Sequence, residues 1–339
     1  MRSIERHWER ITPVSALLYP VSLLYRAAVG IRRAAYRAGI LETVKLPVPV
    51  VVVGNITVGG TGKTPLVLWL AELLRARGRA PGIVCRGYGG SLRAPRRVLP
   101  DSDPRANGDE AVLLARRSGC EVWAGADRAA TARGLLEARR DCDVVLSDDG
   151  LQHYGLARDI EICVVDGARG FGNAWLLPAG PLRERPSRLA SVNAVVINAG
   201  AASAPHPTLD RIPGGTARCS MTVEGREFRN LLNPQRHVGP EHFRGKRVHA
   251  IAGIGDPPRF FRHLQGIGLD FTPHSFPDHY PYAASDLAYA EAEAVLMTEK
   301  DAVKCQPCAD ERHWALRVDA QVDPALGELV LRKLESLRK

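Results

Sequence analysis

The 339-residue chain has no apolar run as long as a conventional membrane crossing, which excludes a multi-span membrane protein. Its one candidate, Pro13 to Tyr25 (PVSALLYPVSLLY), stops at Arg26 and soon meets Arg32 and Arg33, short of the roughly 20 apolar residues a span needs. No small-residue cleavage pattern follows it, so a secretory leader is a poor reading. Cysteine is sparse and odd in number, seven scattered through the chain, which is no disulfide framework and points to a reducing compartment. The single C-x-x-C, Cys305 and Cys308 with His313 nearby, lacks the second pair a structural zinc site usually shows. There is no internal repeat, no low-complexity tract and, despite 32 Gly and 24 Pro, no collagen-like period. What is present is ordinary globular composition, 45% hydrophobic and 24% charged, with room for roughly two domains at ~150 residues each.

The formal charge of +9 is unevenly placed. Residues 1–45 carry eight basic side chains against three acids, +5 of the total. An apolar run with Tyr19 and Tyr25, flanked by arginines, suits a segment lying in a membrane interface, rings at headgroup depth and guanidinium groups on phosphates. The other reading is a helix packed on the protein's own core with a solvated arginine face. Nucleic acid is not an expected partner, because no recognised nucleic-acid module appears.

From Pro47 the pattern changes. PVVVVGN is a β-branched run of the kind buried on both faces of a parallel sheet. Strand-like runs recur at Gly82–Cys85, Glu121–Ala124, Val144–Leu146, Ile160–Val165 and Ala194–Asn198. Helical periods lie among them at Leu66–Ala76, Glu110–Arg117 and Arg128–Ala138. This alternation predicts an α/β fold, a doubly wound parallel sheet over the first ~200 residues. The Gly/Ala/Pro-rich residues 200–215 mark a boundary, residues 216–240 suit a short hairpin, and a second, smaller α/β unit opens at Arg247–Gly255. A strand is expected at Ala294–Thr298, and the C-terminal LGELVLRKLESLRK has the spacing of a helix covering a sheet face.

The strongest local signal is VVVVGNITVGGTGKTPLVLWL, a buried strand, a glycine-rich loop and an amphipathic helix. Loop amides from Thr57, Val58, Gly59, Gly60, Thr61 and Gly62 can turn inward around phosphate oxygens, aided by the partial positive charge of the helix start. Lys63 would neutralise the β- and γ-phosphates, and the Thr64 hydroxyl would ligate Mg²⁺. The strict pattern wants glycine where Thr57 stands. The guanine-reading N-K-x-D is absent, so GTP specificity is unsupported.

Acidic residues must choose among a kinase, an ATPase and a switch. Asp148 and Asp149 end a hydrophobic strand, beside the phosphate loop of a doubly wound fold, where carboxylates hold Mg²⁺; an Asp-Gly turn is the plainer alternative. Asp109 and Glu110 open a helix, where acids also simply complement its dipole. A kinase needs a carboxylate to take the proton of the attacking hydroxyl, with His279 of SFPDHYPY as a possible partner. RGYGG, whose Arg86 and Tyr88 are candidate substrate-binding residues, could form another backbone nest or only a flexible turn, and Arg183 of PLRER could grip an anionic group or be an ordinary exposed arginine.

VGNITVGGTGKTP, RGYGG, GDE, LSDDGLQH, LPAGPLRE, FPDHYPY and MTEKDAVK occur in this order, from about residue 48 to 304. Together they resemble the tetraacyldisaccharide 4′-kinases of lipid A biosynthesis. The resemblance implies transfer of the ATP γ-phosphate to the 4′-hydroxyl of an acylated glucosamine disaccharide 1-phosphate, at the cytoplasmic face of the bacterial inner membrane, on an enzyme that is peripheral or N-terminally anchored. It implies a membrane-interface segment at 1–45, a P-loop kinase domain at 46–205, a linker hairpin at 206–240 and a smaller α/β domain at 241–339, with two linker strands and the site in the cleft. By the same resemblance, Asp109 is the base paired with His279, while Glu110, Asp148 and Asp149 serve magnesium. Substrate contacts carry over to Gln152, Arg183 and Arg128. Ala111 stands where proline commonly follows GDE, and Arg185-Pro186 departs after PLRE; both put loop shape in doubt. The rival expectation is a membrane-associated P-loop ATPase or nucleotide switch acting on a protein partner.

Overall fold

The computed structural model describes residues 2–90, 94–200 and 206–337. The boundary expected at 205/206 touches residues 201–205, outside those described. The chain opens with α1 (Arg2–Glu5) and α2 (Pro13–Arg37). A capping box starts α2: the Thr12 hydroxyl accepts from the Ser15 amide, and the Ser15 hydroxyl accepts from the Thr12 amide. The helix continues through Arg26 for 25 residues, roughly 37 Å at 1.5 Å per residue. It is therefore longer than the apolar run, and among the described residues it is the one helix long and apolar enough to cross a membrane.

β1 (Val50–Gly54) leads into α3 (Lys63–Ala76). Val51 and Val53 enter one core with Leu66, Leu70 and Leu74 of α3, while Val50 and Val52 enter a second core on the opposite face. Each of those leucines contributes roughly 1.5–3 kcal/mol by leaving water. There follow β2 (Pro81–Cys85), β3 (Arg96–Val98), α4 (Pro104–Asn107), α5 (Asp109–Ser118), β4 (Glu121–Ala124) and α6 (Arg128–Ala138). β5 (Val144–Asp148), β6 (Ile160–Asp166) and β7 (Ala194–Asn198) complete this first block. β8 (Ala217–Asn230) and the short β9 (His237–Val238) lead to β10 (Val248–Ala252), α7 (Pro257–Gly266), β11 (Thr272–Ser275), β12 (Ala294–Thr298) and α8 (Glu299–Cys305). β13 (His313–Val322) and α9 (Pro324–Ser336) close the described chain.

Among the described residues one mixed sheet runs β11-β10-β12-β13-β8-β7-β6-β1-β5-β2-β4-β3, with β9 beside β8. Strands are parallel from β8 through β4 and from β11 through β13; the two blocks meet where β8 and β13 pair antiparallel, with β3 antiparallel at the far edge. The α/β expectation holds, with mostly parallel strands. The hairpin expected at 216–240 is only a small part of the pairing, since β8 meets β9 at two residues but follows β13 from Met221 to Asn230. A register shift at Arg317/Asp319 bends that ribbon.

The second block has its own cores, around Phe228, Phe243 and Trp314 on one face and Tyr282, Ile251 and Met297 on the other. α9 does not join them. Its Leu326, Val330 and Leu334 pack into the first block's core beside α3.

Candidate active site

The loop between β1 and α3 is fixed from below. Arg183 N donates to Ile56 O at 2.7 Å and Val58 N to Pro181 O at 2.8 Å, so this part of the loop pairs with residues 181–183. That pairing explains why threonine suits position 57, which bridges Leu182 in extended form. It also corrects an expectation: the Val58 amide is committed to protein. From Gly59 to Thr64, amides meet no protein acceptor among the described residues. Asn198 Nδ2 donates to Thr61 O at 3.0 Å, and Asn55 Nδ2 to Gly59 O at 3.3 Å, turning those carbonyls away and leaving the N–H groups free. Gly62 caps α3 with φ +96°, and a Cβ there would lie 2.6 Å from Asn198 Nδ2. Only glycine fits.

At the end of β5, Asp148 is buried and Asp149 takes φ +50°, which turns its carboxylate aside. Thr64 Oγ1 donates to Asp148 Oδ2 at 3.2 Å, while Asp148 Oδ1 is buried without a partner. Burial, and then the neighbouring Glu110 charge, push the Asp148 carboxyl up to about 7. Asp149 behaves oppositely: burial works against its charge, but Lys63 at 3.5 Å and Arg183 at 3.3 Å hold it below the usual carboxylate range. Arg183 Nη1 also donates to Gln152 Oε1 at 3.4 Å. Gln152 Nε2 donates to Glu184 Oε1 at 2.9 Å and to Asn55 O at 3.0 Å, tying this group to the loop.

Across the cleft, Asp109 begins α5 and His279 comes from the loop after β11. His279 Nδ1 lies 2.9 Å from Asp109 Oδ2 and 3.1 Å from Oδ1. Lys300, at the start of α8, donates to Glu110 Oε1 at 3.0 Å and Asp278 Oδ1 at 3.2 Å, and its Nζ lies 3.4 Å from His279 Nε2. Burial lowers the Lys300 ammonium pKa, but Glu110, Asp109 and Asp278 raise it further and keep the group charged. A charged ammonium has no lone pair, so the imidazole Nε2 must accept, and Nδ1 carries the hydrogen that Asp109 accepts. Burial opposes the Asp109 charge, yet the His279 hydrogen bond and the Lys300 and Lys304 ammonium groups together lower its pKa. Gly89 permits this meeting: it has φ +81°, and a Cβ would sit 3.2 Å from His279 Nδ1. The Tyr88 ring lies 4.9 Å from the imidazole, and Arg86 lies over Tyr88 at 5.8 Å.

The two blocks touch over the loop. Arg259 of α7 donates to Asp166 Oδ2 at 3.0 Å; Arg169, also on Asp166, donates to Gly60 O. A Cβ at Gly255 would lie 3.6 Å from the Gly60 amide. Arg117 of α5 binds Glu299 of α8 and Asp319 of β13.

The magnesium expectation can be tested on the donor set. The Thr64 hydroxyl and the Asp148 carboxylate, with its orphaned buried oxygen, are hard oxygen donors suited to Mg²⁺ shared with phosphates. Glu110 and Asp149 are held by Lys300, and by Lys63 and Arg183. Among the described residues no three His, Cys, Asp or Glu side chains gather for a metal. Arg128 is set apart from the other predicted substrate residues, 2% exposed, donating to Gly125 O and Asp148 O. It holds the end of β5 from behind. Cys305 is buried and Cys308 half-buried, both free, while His313 pairs with Asp310.

The sequence did not single out Lys300, Lys304, Asp278, Asn55, Asn198 and Asp166. MTEKDAVK and FPDHYPY contained the first three, but a lysine four positions before another reads as a solvated helix face until the chain is folded.

Comparisons with known proteins bear on this geometry. The family model described as tetraacyldisaccharide-1-P 4′-kinase (LpxK) matches residues 14–335. The chain is 48% identical over 335 residues to a tetraacyldisaccharide 4′-kinase of Azoarcus sp. (strain BH72), covering 99% of this chain and 96% of that one. It is 50% identical over 333 residues to the protein of that name from Aromatoleum aromaticum, covering 98% and 97%. Among solved structures, a crystal structure of LpxK from Aquifex aeolicus in complex with ATP superposes with TM-score 0.79 at 30% identity, covering 95% of this chain and 99% of that chain.

Proposed function

This chain belongs to the tetraacyldisaccharide-1-P 4′-kinase family, and from that premise we propose how its residues carry phosphoryl transfer from ATP to the lipid disaccharide's 4′-hydroxyl. It is a kinase of lipid A biosynthesis with an alcohol acceptor, and the family match and relatives do not favour the rival switch reading. The first block acts as a P-loop NTPase-type unit, and β8 with β13 serves as the two-stranded linker to the smaller unit. The free amides from Gly59 to Thr64 and the start of α3 bind the phosphate tail. Lys63 exchanges Asp149 for the transferring phosphate, an exchange favoured because Arg183 keeps Asp149 neutralised. Thr64 and Asp148 would hold Mg²⁺, which would supply charge neutralisation for the transferring phosphate.

Asp109 takes the proton of the 4′-hydroxyl as the oxygen attacks. The Nδ1 hydrogen of His279 fixes the carboxylate, and Lys300 fixes the imidazole tautomer, so the base is ionised and aimed before the acceptor arrives. Arg183 and Gln152 hold the acceptor side, with Arg86 and Tyr88 at the mouth; Arg128 supports the strand end. The observation that carries this reading is the 2.9 Å contact between Asp109 and His279, residues from separate blocks that meet only in this fold. The test is transfer from labelled ATP to the acylated disaccharide 1-phosphate in mixed micelles. Absence of transfer by the intact protein refutes it.

We also propose a peripheral place at the cytoplasmic face of the inner membrane, with α2 as the contact. The polarity of α2 is reversed: Ser15 and Ser22 are buried, while Val14, Leu17, Val21, Leu24 and Ile31 are exposed. Ser22 Oγ donates to Leu176 O at 2.8 Å and accepts from Ala179 N at 3.0 Å, fastening the polar side to the protein. A lipid surface is the partner whose chemistry suits such an outer face, with Arg26 and Arg32 near headgroups. Flotation with anionic vesicles should carry the intact chain upward and leave a Leu17→Glu/Leu24→Glu variant below.

A further inference from the structure

A small pocket of about 170 Å³ opens between α2 and the segment 176–188. Arg26, Arg33, Arg185 and Arg188 line it, with Leu176 and Glu184. Glu184 is its sole acid, and it is already engaged: Tyr154 OH donates to it at 2.6 Å, Gln152 Nε2 at 2.9 Å, and Arg188 pairs with it at 3.6 Å. Arg188 is itself neutralised by Glu161 at 2.5 Å. Arg26, Arg33 and Arg185 have no carboxylate partner among the described residues; Arg33 merely donates to Ser191 Oγ at 3.2 Å. Burial lowers the Arg33 guanidinium pKa, Arg188 and Arg37 lower it further, and Tyr154 and Glu184 offset only part of this. A tetrahedral anion fits, since the volume equals roughly five or six waters' share of the liquid.

The position of the pocket narrows the choice of anion. Asp149 contacts Arg183, Arg183 contacts Gln152, Gln152 contacts Glu184, and Glu184 forms the pocket wall. One layer of side chains therefore separates the pocket from the catalytic cleft. Its mouth adjoins α2, whose outer face is apolar. An acceptor with its 4′-hydroxyl in the cleft and its acyl chains along α2 carries its other charged group, the 1-phosphate, at the opposite end of two sugar rings.

We propose that Arg26, Arg33 and Arg185 form a second anion site that receives a lipid-borne phosphate, the acceptor's own 1-phosphate being the source the placement favours. This rests on the kinase reading above. Guanidinium groups would take the phosphate oxygens by charge-assisted, in part bidentate, hydrogen bonds. The site would thereby set the register of the acceptor, with a phosphate read at one end and a hydroxyl phosphorylated at the other.

The test compares wild type with Arg26→Gln/Arg33→Gln/Arg185→Gln, and with exposed Arg185→Gln alone, which leaves every buried contact in place. Acceptor KM should rise about tenfold for each arginine removed, with ATP KM unchanged. If the rise vanishes for an acceptor lacking the 1-phosphate, the acceptor supplies the anion. If it persists for that acceptor and follows the anionic phospholipid content of the micelle, a headgroup supplies it; either result supports the site. Acceptor KM within twofold of wild type in both variants, with unaltered binding to anionic vesicles, overturns it. An inactive wild type would instead overturn the kinase reading and leave the vesicle measurement to judge the pocket.

Discussion

Asp109→Asn isolates the base from its surroundings. Asparagine keeps the shape and one acceptor oxygen, so His279 Nδ1, now 2.9–3.1 Å from the carboxylate, retains a partner. The Glu110 amide, which donates to Asp109 Oδ1 at 2.8 Å, keeps one too. What disappears is a basic lone pair in a buried position flanked by Lys304 at 3.8 Å. The lost charge no longer offsets that ammonium, but Lys304 keeps Asp301 at 3.0 Å, so the fold should survive. Positioned general bases supply about 10²–10⁴-fold, or roughly 3–5 kcal/mol of barrier at 1.36 kcal/mol per decade. We expect kcat to fall by that factor while ATP KM stays within about threefold. The measurement is initial-rate transfer in micelles with each substrate varied. A kcat within tenfold of wild type would mean that another group accepts the proton. The wild-type pH profile provides a further check. The Asp109 pKa is lowered, so its charge, and the stability its partners give it, are present above the unfolded value of 3.8 and lost only as pH falls through the depressed one. The acid limb of kcat should therefore not lie at neutral pH on its account.

Three further outcomes can be checked separately. Asp148 is raised from 3.8 to about 7, so in metal-free protein the stability it permits is complete below pH ~4 and declines as pH rises through 7. Asp148→Asn should then melt higher than wild type at pH 8, by a margin on the order of 4 kcal/mol at most, and the gap should close toward pH 5; a gap that widens in acid contradicts this. Gly62→Ala places a Cβ 2.6 Å from Asn198 Nδ2 at φ +96° and should cost about 1–3 kcal/mol in urea melts and raise ATP KM, whereas unchanged ATP KM would show that the turn is not needed. Ser22→Ala leaves the Ala179 amide and Leu176 carbonyl without their shared hydroxyl, and should loosen α2 by about 1–3 kcal/mol, seen as faster amide exchange at Ala179.

Much of this architecture could be read before folding. The strands at 121–124, 194–198 and 294–298 and the helix at 128–138 fall where periodicity and β-branched runs placed them, because each buries a continuous apolar face. β13 escaped notice: HWALRVDAQV alternates weakly, and its partner β8 lies 84 residues away at the Asn230–Trp314 end, a pairing no local pattern encodes. The phosphate loop was legible as glycines between strand and helix. The commitment of Val58 to Pro181 was not, since it depends on a segment more than 100 residues later. The surroundings of Arg128 were not legible in its motif; its guanidinium meets the Gly125 and Asp148 carbonyls, which only the fold could reveal. The reversed polarity of α2 was likewise hidden, because a helical wheel shows which faces differ but not which one the protein keeps.

The return of α9 to the first block constrains biosynthesis. Leu326, Val330 and Leu334 complete the wall against which Leu66, Leu70 and Leu74 pack, so the helix that presents the nucleotide loop stays half-clad until the ribosome has delivered α9. A fragment cut after the linker would display an oily groove along that helix, and should clump or demand a chaperone rather than behave as a detachable ATP-binding module.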